Sequence, residues 1–171
     1  MVEVGTHVLK IDGPVTRETI KNYAKASGDH NPIHVDDDFA SKVGLNGVIA
    51  HGMLSFGYGA HHLNDFAEEC NGQLINLGCE MRGMVRPGDW ILTHITVKAI
   101  NDDILEIEMI QNSKMPLKLE KDGKQIETFE ALEKGWVSEK EQDLIKTEET
   151  ENGTLTYREA LVNKGWGKIR I

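Results

Sequence analysis

The chain has 171 residues, 39% of them hydrophobic and 27% charged, with a formal net charge of −9. That length buries one substantial core, and the acidity argues against a nucleic-acid binder, which carries a basic stripe. An anionic ligand held by a few local cations is still compatible with it. No apolar run approaches the roughly 20 residues needed to cross a bilayer. Met1-Val2-Glu3-Val4-Gly5 has neither the basic start nor the apolar stretch of a leader, so a soluble, cytoplasmic protein without membrane contact is expected. Cys70 and Cys79 show no metal or redox spacing and read as free thiols.

In chain order, Pro14 and the potential N-cap Thr16 introduce a helix over 15–26 with Ile20, Tyr23 and Ala24 on one face; Ser27-Gly28 ends it. A short second helix starts at Asp36-Asp37-Asp38, whose carboxylates suit the positive end of the helix dipole, and ends near Gly44. From Gly52 to about Glu69 runs the longest helix, apolar on most sides and therefore expected to be buried. Gly57 and Gly59, costly in a helix, are expected to let a sheet approach its backbone.

After this helix the period changes to two. Leu77, Cys79, Met81, Gly83 and Val85 form one alternating set; Ile91, Thr93, Ile95, Val97 and Ala99 a second; Leu105, Ile107 and Met109 a third. Turn chemistry at Pro87-Gly88-Asp89, Asn101-Asp102-Asp103 and Asp122-Gly123 separates the strands, and a last strand is expected over 124–137. Consecutive hairpins imply an antiparallel sheet with one covered face. The fold class is α+β, an antiparallel sheet curled around a long central helix. Residues 138–152 are acidic and free of aromatics, which suits a solvated linker or an exposed helix. Residues 155–171 regain Tyr157, Leu161, Trp166 and Ile169 and are expected to dock on the domain or on a partner subunit. The division is thus a domain over 1–137 and a linker with tail over 138–171.

The chemically informative stretch is Ser27-Gly28-Asp29-His30-Asn31-Pro32-Ile33-His34. Gly28, Pro32 and the residue before Pro32 restrict the loop enough to aim Asp29 and His34 at one point. A carboxylate and an imidazole there can hold a water and move protons near neutral pH. An isolated Asp and His five residues apart would read as an Asx turn with a surface histidine; the surrounding string shifts the balance. In the second cluster, Ala50-His51-Gly52-Met53, the start of the long helix offers free N–H groups, and Gly52 lets a ligand oxygen approach the backbone, an oxyanion site for a thioester carbonyl. The bland reading, that Gly52 only permits tight packing, is as good when the cluster is taken alone. The His30/His34 and His61-His62 pairs have no third ligand of recognisable spacing, so no metal is expected. Arg82 and Arg86 share a strand face and could meet coenzyme A phosphates or simply be solvated.

The run Tyr23 to His34, followed by Phe39-Ala40 and Ala50-His51-Gly52-Met53, resembles the hydratase signature of MaoC-like proteins, hot-dog-fold (R)-specific enoyl-CoA hydratases and dehydratases, over roughly residues 5–137. The resemblance implies that Asp29 and His34 activate a water for attack on Cβ of a trans-2-enoyl thioester, that the Gly52 N–H polarises the carbonyl, and that His51 and Asn31 contribute to substrate binding, Asn31 by orienting the loop or a ligand group. It implies an acyl-CoA or acyl carrier protein thioester as substrate, no cofactor, and a homodimer or larger homo-oligomer. Several relatives carry a serine two turns into the long helix where this chain reads Gly57-Tyr58-Gly59-Ala60-His61, with Ser55 nearby but not equivalent. An acyl-thioesterase, or a non-catalytic subunit of a hetero-oligomer, are the alternatives.

Overall fold

The long helix, α3 (Gly52–Glu69), forms where its sequence places it, in a computed structural model that describes residues 2–171. It is preceded by strand β1 (His7–Asp12) and helices α1 (Arg17–Ser27) and α2 (Asp37–Lys42), and followed by strands β2 (Gln73–Met81), β3 (Trp90–Asn101), β4 (Ile104–Lys121) and β5 (Lys124–Thr128). A single-turn helix α4 (Glu130–Glu133), a 3-10 turn (Glu139–Leu144) and strands β6 (Ile145–Thr150) and β7 (Gly153–Arg170) complete the chain. The caps follow the side chains. Thr16 accepts the Thr19 N–H at the start of α1, Gly28 adopts a left-handed φ of 76° at its end, and Asp36 caps α2. No helix among the described residues is long and apolar enough to cross a membrane.

All strands join one antiparallel sheet in the order β1-β3-β4-β7-β2, with β5 continuing along β4 and β6 along β7. The sheet covers α3, the expected α+β arrangement. The core joins Leu63, Phe66 and Ala67 of the helix to Ile95 and Val97 of β3, Leu105, Ile107 and Met109 of β4, and Ile169 of β7. Only one stripe of α3 is fully buried, Ser55, Gly59, Leu63, Phe66 and Ala67; Met53, Gly57 and His61 are exposed, so the helix is less enclosed than its composition implies. Gly59 does permit close approach, since a Cβ there would stand 2.5 Å from Met109 Sδ, whereas a Cβ at Gly57 would meet nothing within 4 Å.

The sequence expectations depart from the structure after residue 81. β2 ends at Met81, and Gly83 and Val85 lie in the irregular crossing to β3. The strand expected over 124–137 stops at Thr128, because 129–136 turns back as α4 and packs Ala131 and Trp136 against Met115 and Leu117. The acidic stretch is not a linker. It forms the 3-10 turn and β6, tied down by Arg158–Glu141, Lys114–Glu148 and Lys146–Glu159 ion pairs. Burial alone would raise the Glu141 carboxyl, but bonds from Ser138 and Arg158 outweigh it and hold it below the usual range. The segment read as a docking tail is β7, an interior strand paired with β4 from Ile104↔Arg170 to Glu120↔Thr154 and with β2 from Gln73 to Met81.

Two outcomes follow. Ending the chain after Val137 removes the strand between β4 and β2, so the expected result is loss of cooperative thermal unfolding by circular dichroism; a truncated protein that melts cooperatively with native ellipticity contradicts this placement of β7. The second concerns Asp89, which is fully buried, accepts the Arg86 N–H on Oδ2 at 3.0 Å, and has no partner for Oδ1 among the described residues. Burial pushes its carboxyl up to about 7 from a reference of 3.8. A folded-state value above the unfolded one means the native state holds the extra proton, so this group's contribution to stability is present at acid pH and is lost as pH rises through about 7. Asp89→Asn keeps an acceptor for Arg86 and removes the titration. Its melting temperature is expected to fall less than the parent's between pH 5 and 8; parallel curves would exclude Asp89 as the source.

Candidate active site

The loop after α1 is built from its own side chains. Ser27 Oγ donates to the Tyr23 carbonyl at 2.7 Å and accepts the Asp29 N–H at 3.2 Å. Asp29 Oδ1 accepts the Asn31 N–H at 3.1 Å, and Asn31 Oδ1 accepts the Ile33 N–H at 3.3 Å, capping a 3-10 turn over Pro32–His34. Asn31 thus spends its side-chain oxygen on shaping the loop. The consequence is that the second carboxylate oxygen, Oδ2, stands 3.9 Å from His34 Nε2. The Asp29 side chain is 53% exposed and the His34 side chain 8%. One partner meets solvent while the other is held in the protein.

The imidazole of His34 is oriented from behind. Its Nδ1–H donates to the Ile49 carbonyl at 2.8 Å. A backbone carbonyl can only accept, so Nδ1 carries the proton and Nε2 of the neutral ring presents a lone pair towards Asp29. His51 packs flat against this ring, with centroids 3.7 Å apart at 26°, and Tyr23 closes over His51 at 4.9 Å. His51 Nε2–H donates to the Asp29 carbonyl at 3.0 Å and the residue is 3% exposed, so its side chain supports the pair from inside the protein. His51 is also the residue before α3, whose first residue, Gly52, carries an N–H ahead of the first intrahelical bond. A Cβ on Gly52 would meet Met81 Sδ at 2.5 Å. Asp29, His34, Asn31, His51 and Gly52 are therefore brought together by two chain segments.

Asp29, His34 and His51 also each offer a ligand atom within 4.8 Å of one another. The donor set fits a metal poorly: stacked rings hold their nitrogen lone pairs in nearly parallel planes that do not converge on one ion at the usual 2.0–2.1 Å. Ser55 is turned into the core, donating to the Gly52 carbonyl at 2.8 Å and accepting from Asn163 Nδ2 at 3.2 Å, so its hydroxyl is satisfied within the protein. Arg86 does not face solvent. It is 7% exposed, donates to the Leu45 and Gly47 carbonyls at 2.6 and 3.3 Å, and lies 4.8 Å over the Trp136 ring, while Trp136 Nε1–H donates to the Asn46 carbonyl at 2.6 Å. These two side chains clamp the loop that leads to Ile49 and His51. Arg82 pairs with Glu80 on the surface. Two backbone carbonyls, of Ile49 and Asp29, and the ring of Tyr23 are parts of the site that sequence reasoning missed; a carbonyl leaves no residue signal.

Beside Tyr23 an open groove of about 280 Å³ is lined by Tyr23, Leu54, Gly57, Tyr58 and His61. A larger hollow of about 420 Å³, lined by Arg17, Asp89 and Phe129 among others, lies at the opposite end of α1, which at 1.5 Å per residue spans roughly 16 Å. Tyr23, which closes over His51, joins this groove to the neighbourhood of the Asp29/His34 pair.

A family model described as "MaoC like domain" matches residues 2–115, which contain both site segments. Over 86 residues the chain is 30% identical to the (R)-specific enoyl-CoA hydratase of Rhodospirillum rubrum, a match covering 50% of this chain and 60% of that one. Over 72 residues it is 36% identical to the peroxisomal multifunctional enzyme type 2 of Mus musculus, covering 42% of this chain and 10% of that one. The chain thus spans less than two thirds of either relative. Among solved structures, an (R)-hydratase from A. caviae involved in PHA biosynthesis superposes with a TM-score of 0.66 at 16% identity, covering 99% of this chain and 97% of that one. An R-hydratase from Pseudomonas aeruginosa in the unliganded form gives 0.65 at 17% identity, covering 99% and 81%. At these identities the likeness is one of fold, and the fold is the hot-dog fold.

Proposed function

The chain belongs to the MaoC-like family of hydratases and dehydratases, and from that premise we propose that it adds water to trans-2-enoyl thioesters, or runs the reverse dehydration, with Asp29 and His34 as its acid/base pair. The observation that carries the reading is the 3.9 Å gap between His34 Nε2 and Asp29 Oδ2. It is too wide for a direct hydrogen bond and about the span of a water bonded to both acceptors at roughly 2.8 Å. Such a water donates one proton to each group, which turns its oxygen lone pair outward.

In the proposed reaction that oxygen bonds to Cβ and the π electrons move toward the thioester carbonyl. The proton taken by Asp29 is returned to Cα from the same pair, so both groups end as they began. The Gly52 N–H polarises the carbonyl while enolate character develops, a donor fixed by the fold and needing no reorganisation. The acyl chain lies in the groove of Tyr23, Leu54 and Tyr58, whose rings supply apolar surface. The carrier is coenzyme A or acyl carrier protein. No residue of this scheme calls for a cofactor. A second copy of the chain completes the assembly, because the outer edges of β1 and β2 have no strand partner among the described residues and β2 exposes Ile75 and Met81. Light scattering that finds only a 19.1 kDa species at working concentration rejects that assembly.

A panel of enoyl-CoA substrates, followed by loss of the conjugated thioester absorbance, tests the reaction. Turnover on at least one is expected. Release of free thiol without hydration would identify a thioesterase instead, and silence across the panel would favour a non-catalytic subunit. Asp29→Asn and His34→Ala are each expected to lower turnover by about 10²–10⁴-fold with the fold intact by circular dichroism. Near-normal turnover in either variant removes that residue from the chemistry.

A further inference from the structure

The second half of α3 carries a cluster that the proposed chemistry does not use. His61, His62 and Asp65 each offer a ligand atom, all within 4.8 Å of one another. His61 Nε2 and Asp65 Oδ2, one helical turn apart, are separated by 3.5 Å. Two donors on a tetrahedral ion with 2.0–2.1 Å bonds stand roughly 3.3 Å apart, so this pair is already near chelating distance. An exposed ion pair alone explains little, since such pairs contribute almost nothing to stability.

His62 adds an independent observation. Its Nε2–H donates to Asp12 Oδ2 at 2.7 Å, and both side chains are largely buried, 12% and 18% exposed. Asp12 ends β1, so the bond ties the sheet to the helix. With the proton on Nε2, the neutral ring carries its lone pair on Nδ1, and Nδ1 is buried without a hydrogen-bond partner among the described residues. A carboxylate that fixes a histidine's tautomer and leaves the other nitrogen bare is the arrangement found behind metal-ligating histidines. The rings of His61 and His62 are tilted by 36° with centroids 5.3 Å apart, unlike the stacked His34 and His51.

We propose that His61, His62 and Asp65 form a divalent transition-metal site, with Asp12 as the outer carboxylate that orients His62. Two imidazoles and one carboxylate suit zinc, nickel, cobalt or copper(II), and disfavour magnesium and calcium, which prefer oxygen ligands throughout. Three protein donors leave a fourth position for water. His61 also lines the groove beside Tyr23, but none of the three donors takes part in the proposed reaction, so the site stands whether or not the chain turns over enoyl thioesters.

Calorimetric titration of the full chain with Zn²⁺, and separately Ni²⁺, in a non-chelating buffer tests it. One ion per chain is expected to bind, with Mg²⁺ giving no heat of binding. His61 is two-thirds exposed in its side chain, so His61→Ala leaves the fold intact, and it and Asp65→Asn are each expected to weaken Zn²⁺ binding at least about tenfold. Asp12→Asn is expected to cost roughly 10–100-fold without removing a ligand. Asp29→Asn, at the other histidine cluster, is expected to leave the Zn²⁺ affinity unchanged. No saturable binding, or Zn²⁺ binding that survives His61→Ala at parental affinity, overturns the proposal.

Discussion

Everything at the site depends on how near α3 can lie to its sheet. At Gly59 the absent Cβ leaves room for Met109 and Gln111, and on β7 a Cβ at Gly165 would stand 2.5 Å from Met109 Cε. A side chain at Gly59 would lift the helix, and with it the His51-Gly52 terminus, away from the loop that bears Asp29, and Gly165 leaves Met109 the room to lie beneath Gly59. Beneath the first turn the contact is polar. Gln111 Nε2 donates to the Ser55 carbonyl and to Thr93 Oγ1, both at 3.0 Å, and Asn163 Nδ2 donates to Gln111 Oε1 at 2.9 Å. Each such bond is worth about 1 kcal/mol net, but a buried donor left unpaired costs more, so the network penalises other helix positions more than it rewards this one.

The two site segments hold each other in place. His34, from the loop, donates to the backbone of Ile49; His51, from the helix start, donates to the backbone of Asp29. Each histidine thereby fixes the segment that presents the other. The stacking contact then keeps the pair in register, and Arg86 and Trp136 hold the intervening turn from outside. The buried Arg86 guanidinium is held here by carbonyl dipoles and an aromatic face.

Much of this could be read in the sequence, and the rest failed for identifiable reasons. The helices were legible because their caps are side-chain events: Thr16, Gly28 and Asp36 announce where α1 and α2 begin or end. The Asp29/His34 loop was legible because glycine and proline constrain its backbone. β7 was not. Its inward positions from Asn163 onward are Asn163, Gly165, Gly167 and Ile169, while Trp166 faces outward at 47% exposure. An alternation whose buried members are glycine and asparagine, and whose largest apolar residue is exposed, carries no hydrophobic period. At Gly167 a Cβ would reach Leu63 of the helix, and at Gly165 it would strike Met109, on which the helix rests. β6 was missed for a related reason: its charges are matched across the sheet, Glu148 by Lys114 of β4 and Lys146 by Glu159 of β7, and only the folded sheet brings these partners near.

The position of β7 also sets the order in which this sheet can assemble. β2 leaves α3 early in the chain, yet its one strand neighbour among the described residues lies about 90 residues further on, at Asn163 to Arg170. While a ribosome is still making the stretch between, β2 has a helix to lean on but no ladder on either edge. β3 and β4, by contrast, can zip together locally as a hairpin. Such a nascent chain holds a half-built sheet with two open rims, the state most exposed to pairing with a neighbour. For this topology the vulnerable interval is the wait for one strand.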